Sequence, residues 1–296
     1  MDSMVKIQNK KDCKPHWLKA PLPGGGQYRQ VRTAVAQNRL ATVCSEARCP
    51  NRGECWNSGT ATFMILGSVC TRGCRFCAVE HGNGTSVDAD EPTRVAAAAE
   101  SMGLSYVVIT SVSRDDLSDG GAAQFAHTVA AIRALNGNIR IEVLTPDYQG
   151  KALETVLKAS PTVFAHNIET VERLSASMRH SRFQYRKSLE TLCAAAHFSD
   201  DAITKSSLML GLGETEREVL DSMGHLRDAG VKILVMGQYL QPTRKHAEVA
   251  AYITPEYFEM YAVRAYEMGF EYVAAAPLAR TSWRAAEAYV KSRDVR

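Results

Sequence analysis

The sequence predicts an α/β fold, a partial (β/α)6 barrel of the TIM type with an extension at each end. Three observations predict it. Short apolar runs alternate with helix-patterned segments through residues 61–275, the pattern of parallel strands joined by right-handed crossovers. Six such units occur, which favours a curled sheet over an open doubly wound one. The chain has 296 residues and is 45% hydrophobic, which suits one large α/β domain or two small ones.

Residues 1–60 read as an irregular extension. They carry Pro15, Pro21, Pro23 and Gly24-Gly25-Gly26, with one helical stretch over 28–38. The first strand falls in 62–67 and a helix in 93–102. Strand 105–110 (Ser-Tyr-Val-Val-Ile-Thr) precedes helix 121–135, and strand 139–144 precedes helix 150–159. Strand 162–168 precedes helix 187–197, strand 206–212 precedes helix 216–229, and strand 231–237 precedes helix 255–268. Residues 276–296 leave the barrel as Pro277-Leu278-Ala279-Arg280-Thr281-Ser282-Trp283. The chain thus divides into three zones: 1–60, 61–275 and 276–296. In such barrels the chemistry sits at the C-terminal ends of the strands.

The net charge is +3 and the pI about 8.4. That mild basicity does not call for nucleic acid. No run of about 18 apolar residues is present, so no membrane span is expected. The start, Met1-Asp2-Ser3-Met4-Val5-Lys6, is too polar for a secretory h-region. Reduced thiols and a cytoplasmic location are expected.

Six of the eight cysteines fall in two triplets. Cys44, Cys49 and Cys55 are spaced C-x4-C-x5-C; Cys70, Cys74 and Cys77 are spaced C-x3-C-x2-C and come after the first strand. Thiolates gathered this closely bind soft metals and iron–sulfur clusters. Three ligands on a four-iron cluster leave one iron open, as catalytic metal sites leave one position open. Structural zinc uses four ligands, often as C-x2-C pairs, and neither triplet offers a pair of pairs. Disulfides suit small secreted domains without a core. Cys13 and Cys193 stand apart. Cys193, in Leu192-Cys193-Ala194-Ala195-Ala196, reads as a buried apolar residue.

Polar residues cluster at strand ends. Thr110-Ser111 and Arg114-Asp115-Asp116 come after the second strand, His166-Asn167-Ile168-Glu169 ends the fourth, Gly211-Leu212-Gly213-Glu214 succeeds the fifth, and Gln238-Tyr239-Leu240-Gln241 the sixth. Singly, the aspartates could cap a helix and the glycines relieve crowding. Their joint position on one barrel face favours ligand binding for Asn167, Glu169, Gly211 and Gly213. Gly-Leu-Gly lacks the third glycine of a dinucleotide fingerprint. A basic cluster, Arg179, His180, Arg182, Arg186 and Lys187, is either a solvated face or a contact for an acidic protein.

The C-x3-C-x2-C triplet, with Phe76 before its last cysteine, resembles the signature of radical S-adenosylmethionine (SAM) enzymes. Nearly the whole chain resembles the lipoyl synthase family. The resemblance is carried by Lys14-Pro15…Trp17-Leu18-Lys19, by Thr42-Val43-Cys44-Ser45-Glu46-Ala47-Arg48-Cys49-Pro50-Asn51…Glu54-Cys55-Trp56 and by Cys70-Thr71-Arg72-Gly73-Cys74-Arg75-Phe76-Cys77. Further segments are Arg114-Asp115-Asp116-Leu117, Ala165-His166-Asn167-Ile168-Glu169-Thr170-Val171, Met209-Leu210-Gly211-Leu212-Gly213-Glu214-Thr215 and Gly237-Gln238-Tyr239-Leu240-Gln241-Pro242-Thr243.

The resemblance implies two [4Fe-4S] clusters and SAM. Cys70, Cys74 and Cys77 would hold the cluster that chelates and cleaves SAM with one external electron. The resulting radical would abstract hydrogen from a protein-bound octanoyl chain. Cys44, Cys49 and Cys55, carried by the N-terminal extension, would hold an auxiliary cluster that is sacrificed as sulfur donor, giving lipoyl by insertion at C6 and C8. The implied partners are an octanoylated carrier domain, of the 2-oxoacid dehydrogenase E2 or glycine cleavage H protein type, and an electron donor such as ferredoxin or flavodoxin. Aliphatic C–H bonds offer no acid–base handle, so cofactors must carry the hard step.

Some positions depart from the family. Its Arg-Ser-Ser-Tyr ending, in which a serine completes the auxiliary cluster, is here Arg280-Thr281-Ser282-Trp283. The second hydroxyl is kept, so the resemblance assigns the ligand to Ser282. Ser113 replaces a common Asp and Ser118 a common Pro.

Overall fold

The structure is a computed structural model that describes residues 14–20, 22–58, 60–199 and 202–293. Cys13 and the first six residues lie outside this set. The N-terminal extension forms α1 (Gly26–Gln37), β1 (Ala41–Thr42), α2 (Val43–Glu46) and α3 (Arg52–Asn57). Its described residues are therefore more regular than their proline and glycine content implied. Thr42 caps α2 by accepting from Ser45 N at 3.3 Å, a standard N-cap contact.

The barrel begins with β2 (Thr62–Ile65), succeeded by the short pair β3 (Val69–Cys70) and β4 (Glu80–His81). Then come α4 (Glu91–Ser101), β5 (Tyr106–Ser111), α5 (Ala122–Leu135), β6 (Arg140–Leu144), α6 (Gly150–Lys158) and β7 (Val163–Ala165). The remainder is α7 (Glu172–Met178), α8 (Tyr185–Ala196), β8 (Thr204–Leu210), α9 (Glu216–Asp228), β9 (Ile233–Gln238), α10 (Pro255–Glu267), β10 (Tyr272–Ala275) and α11 (Ala285–Arg293).

The main sheet runs β1-β2-β5-β6-β7-β8-β9-β10. Every neighbouring pair from β2 to β10 is parallel, and only β1 is antiparallel. β10 does not pair back to β2, so the barrel stays open. Six strand–helix units are present as the apolar runs predict, and β10 adds a seventh parallel strand. Its four residues, Tyr-Val-Ala-Ala, are too short and too small to stand out as an apolar run.

Helix propensity and capping set the crossovers. Thr215 and Glu218 form a reciprocal capping box at the start of α9, and proline opens α4 and α10, where its missing N–H costs nothing. The outer faces of the strands bury large side chains against the helices. Phe63, Ile65, Ile109 and Ile141 meet Val95, Phe125 and Val129 in one core, while Leu208, Leu234 and Met236 meet Met223, Leu226 and Phe258 in the other. Each such side chain contributes about 1.5–3 kcal/mol.

The inner face is closed from below by α11. Ala285, Ala288 and Tyr289 sit on Tyr106, Val108, Val163, Ile203 and Ile233, residues at or near the starts of the strands. Above them Lys205 is buried against Glu142, with Nζ 3.0 Å from both carboxylate oxygens, and Tyr106 donates to Glu142 Oε2 at 2.7 Å. The floor is thus sealed, and the C-terminal ends of the strands are left to enclose a cavity.

Candidate active site

That cavity has a volume of about 620 Å³ and is lined by all six triplet cysteines together with Asn167, Glu169 and Ser282. The second triplet is placed by a sharp exit from β2. Leu66 and Gly67 both take positive φ, 68° and 89°. Leu66 N donates to Glu91 Oε2 at 2.9 Å and its carbonyl accepts from Arg114 at 3.1 Å. The chain then enters β3, whose last residue is Cys70. Neighbouring loops pin the segment from Arg75 to Cys77. Arg75 N donates to Met178 O at 2.9 Å, Ala247 N donates to Arg75 O at 2.8 Å, and His246 Nε2 donates to Cys77 O at 2.9 Å.

Arg72, between Cys70 and Cys74, is the main lock of this loop. Its guanidinium forks onto Asp115 at 2.9 and 2.7 Å, reaches Asp147 at 2.6 Å and stacks on Phe183 at 4.1 Å. A fork of this kind fixes direction as well as charge. It holds the Asp115 carboxyl at about 2. Asp115 and Asp116 therefore serve arginines, Arg72 and Arg114, rather than a helix cap.

The sulfurs are surrounded by N–H donors. Arg72 N and Ser113 N lie 3.4 and 3.3 Å from Cys70 Sγ, and His180 N lies 3.3 Å from Cys74 Sγ. Such contacts tune a cluster's potential. The Ser113 contact uses the backbone, so the change from Asp leaves it in place. Burial pushes the Cys77 thiol up to about 12, with Cys74 and Cys70 adding to it. Burial likewise pushes Cys55 up to about 12, with Cys44 and Cys49 adding. Each triplet is thus its own electrostatic group. Such thiols hold their protons until a metal replaces them. Among the described residues no three His, Cys, Asp or Glu side chains converge as ligands of a single ion. The thiols of both triplets line one cavity, and soft thiolates are the donors that iron–sulfur clusters take.

A polar wall runs along the ends of β5, β6 and β7. Thr145 Oγ1, His166 Nε2 and Asn167 Oδ1 are buried there without a hydrogen-bond partner among the described residues, beside Ser111. Unpaired buried polar atoms are costly, so this wall fits a polar ligand such as SAM. His166 Nδ1 lies 2.9 Å from Thr145 O, and burial lowers its pKa to about 4, leaving a neutral ring. Glu169 takes φ 68°, strained backbone of the kind found at functional sites. Its carboxyl is pushed up by burial, opposed by Arg179 and Asn167.

Gly211 and Gly213 stand apart from the cavity lining. Both have positive φ, 97° and 104°, and a side chain at 211 would collide with Gln238 and the Ala251 carbonyl. Glu214 accepts from Gly211 N and Leu212 N at 2.5 and 2.9 Å. The pair serves a tight turn in this structure. Cys193 is half-buried and packs on the second core. The basic cluster divides. Arg179 is buried and stacks on Phe183 at 4.3 Å, whereas Arg182, Arg186 and Lys187 pair with Asp115, Glu172 and Asp147 at 3.5, 3.3 and 3.2 Å.

The C-terminal segment crosses the cavity as a strap. Leu278 O accepts from Asn51 at 2.6 Å, Trp283 Nε1 donates to Glu54 at 3.4 Å, and Arg284 pairs with Glu54 at 3.5 Å. Glu54 and Asn51 flank the auxiliary cysteines, so the strap joins that triplet to the barrel. Thr281 accepts from Asn167 at 3.0 Å and lies 2.9 Å from Ser207 Oγ, while the Ser282 hydroxyl, also on the cavity wall, makes no hydrogen bond among those described. Sequence reasoning named Ser111 and His166 among the strand-end polar residues without giving them a ligand role, and it missed Thr145 and the Thr281 anchor. The position of Thr145 at the end of β6 was the available signal.

Comparisons with known proteins agree with this geometry. Residues 64–226 match the Radical SAM superfamily, and residues 1–49 match the N-terminal domain of lipoyl synthase of the Radical SAM family. The chain is 53% identical to lipoyl synthase of Thermus thermophilus, over 94% of this chain and 87% of that one. It is 48% identical to mitochondrial lipoyl synthase of Vitis vinifera, over 98% and 77%. Among solved structures it resembles methylornithine synthase (PylB), with a TM-score of 0.54 at 11% identity, covering 87% and 80%. It also resembles Streptococcus suis SuiB bound to S-adenosylmethionine, with a TM-score of 0.55 at 11% identity, covering 76% and 54%. Those two show the fold alone. The two triplets around one barrel mouth, and near-half identity along almost the whole length, place the chain in the lipoyl synthase family of the radical SAM superfamily.

Proposed function

We propose that the two ends of this cavity divide the work of lipoyl formation between them. The chain is an enzyme with its family's activity, insertion of sulfur at C6 and C8 of an octanoyl group borne on a lysine of a lipoyl-carrier protein. When bound, one four-iron cluster and SAM supply the one-electron chemistry that activates an aliphatic C–H bond, and a second four-iron cluster supplies sulfur.

Cys70, Cys74 and Cys77 hold the first cluster, and their three thiolates leave one iron for SAM. Asn167 and Glu169 hold SAM's polar groups on the wall where Asn167 Oδ1 is unpartnered. Cys44, Cys49 and Cys55 hold the auxiliary cluster, and Ser282 completes it. Its hydroxyl, without a hydrogen bond among the described residues, would be available as the fourth ligand. Apolar cavity residues such as Met64, Val79, Val112 and Leu144 take the acyl chain and exclude water. Residues 1–60 supply the auxiliary cysteines and 276–296 the serine, as extensions of the 61–275 barrel.

The carrier is of the 2-oxoacid dehydrogenase E2 or glycine cleavage H protein type, and the electron donor is a ferredoxin or flavodoxin. A cytoplasmic setting fits the free cysteines and a chain in which no described helix is long and apolar enough to cross a membrane.

The observation that carries this reading is that both triplets and Ser282 line one cavity. Anaerobic incubation with SAM, a reductant and an octanoyl-lysine peptide, with mass spectrometry of the product, tests it. Addition of two sulfurs is expected; SAM cleavage without sulfur gain would overturn it.

A further inference from the structure

We propose that Thr281 is a positioning residue that couples the polar wall of the cavity to Ser282, so that SAM engaging Asn167 and Glu169 is felt at the auxiliary site. This rests on the roles given above to Asn167, Glu169 and Ser282. The Asn167 amide has two hydrogens. One goes to Glu169 Oε1 at 3.1 Å and the other to Thr281 Oγ1 at 3.0 Å. Thr281 in turn shares a hydrogen bond with Ser207 Oγ at 2.9 Å. One hydroxyl therefore ties the strap to the residues just beyond β7 and to the middle of β8.

The tie is made by the groups a ligand must use. Asn167 Oδ1 is buried and unpartnered, and Glu169 is held at a strained φ with its carboxyl on the cavity wall. A ligand that turns the amide to satisfy Oδ1 withdraws the hydrogen that holds Thr281, and one that donates to Glu169 displaces the amide's other hydrogen and frees the amide to turn. The rest of the strap cannot move freely with it. Leu278 is fixed by Asn51, and Ala279 lies against Gly237. Trp283 and Arg284 are fixed by Glu54, beside Cys55. Loosening at 281 is thus confined to 281–282, where Ser282 carries no hydrogen bond of its own among the described residues. Coupling of this kind needs a ligand that treats the two arrangements differently, and the shared amide supplies that difference.

Thr281→Val keeps the shape and removes the hydroxyl; Thr281→Ser keeps the hydroxyl. Hydrogen exchange on the cluster-free full chain should show Thr281→Val raising exchange at 281–283, where Trp283 N donates to Arg280 O at 2.8 Å across the loosened residues, by roughly threefold to tenfold, the range expected for one hydrogen bond. Thr281→Ser should restore protection. On the chain carrying both clusters, SAM should shift the Mössbauer signature of the auxiliary cluster in wild type and Thr281→Ser but not in Thr281→Val. Unchanged exchange in Thr281→Val, or an equal SAM-induced shift, would overturn the coupling. SAM affinity of Asn167→Ala separates the two readings. Undiminished affinity would remove Asn167 from the SAM wall and with it the proposed route, whereas the exchange result on the ligand-free strap would stand by itself.

Discussion

The backbone of Ala279 lies directly on Gly237, so that a β-carbon at 237 would overlap the Ala279 carbonyl oxygen and press on the Arg280 guanidinium. β9 thus offers the strap a seat that only glycine leaves open. The strap runs from that seat to Ser282, the residue proposed as fourth ligand of the auxiliary cluster.

Gly237→Ala should displace the strap. Overpacking at a tight backbone contact costs about 1–3 kcal/mol. Urea unfolding should register that loss. Product analysis should show sulfur insertion falling more steeply than SAM cleavage, because Cys70, Cys74 and Cys77 are held by other loops.

Replacing Cys70, Cys74 and Cys77 with Ala should leave one four-iron cluster and abolish SAM cleavage. Replacing Cys44, Cys49 and Cys55 should leave one cluster that still cleaves SAM and adds no sulfur. Iron and sulfide analysis beside a 5′-deoxyadenosine assay reads both. Lipoyl product from the second variant would show that sulfur comes from elsewhere.

Lys205→Met should strand the Glu142 carboxylate inside the barrel, where both side chains are 1% exposed. Breaking one partner of a buried pair costs about 3–5 kcal/mol. Adding Glu142→Gln should recover much of the loss, since no charge then remains unpaired. A double variant as unstable as the single would place the cost in packing instead.

Charge reversal at Arg182 and Arg186, which are 61% and 77% exposed, should slow turnover of a whole octanoylated carrier domain more than of a short octanoyl-lysine peptide. The gap should narrow as salt rises, because exposed charges act on encounter and are screened. Equal loss on both substrates would trace the effect to the partners Asp115 and Glu172 within the fold. No loss on either would leave a solvated surface.

The sequence by itself determined the features that depend on near neighbours. Cysteine spacing marked both triplets, since three ligands on a short segment need no distant partner. Alternating apolar runs marked the six strand–helix units, because the periods of strands and helices are local. The chain's resemblance also singled out Ser282. Tertiary structure decided the rest. Asn167 meets Thr281 across 114 residues, and Asn51 meets Leu278 across 227. Arg72 meets Asp147 across 75. No local pattern records such pairs, because loop closure and the open edge of the barrel bring them together. That is also why Gly211 and Gly213, plausible on spacing alone, fall outside the cavity lining while Ser111, Thr145 and His166 face it. A strand end fixes the height of a side chain above the barrel, but only the packed neighbours decide whether it finds a protein partner or is left for a ligand.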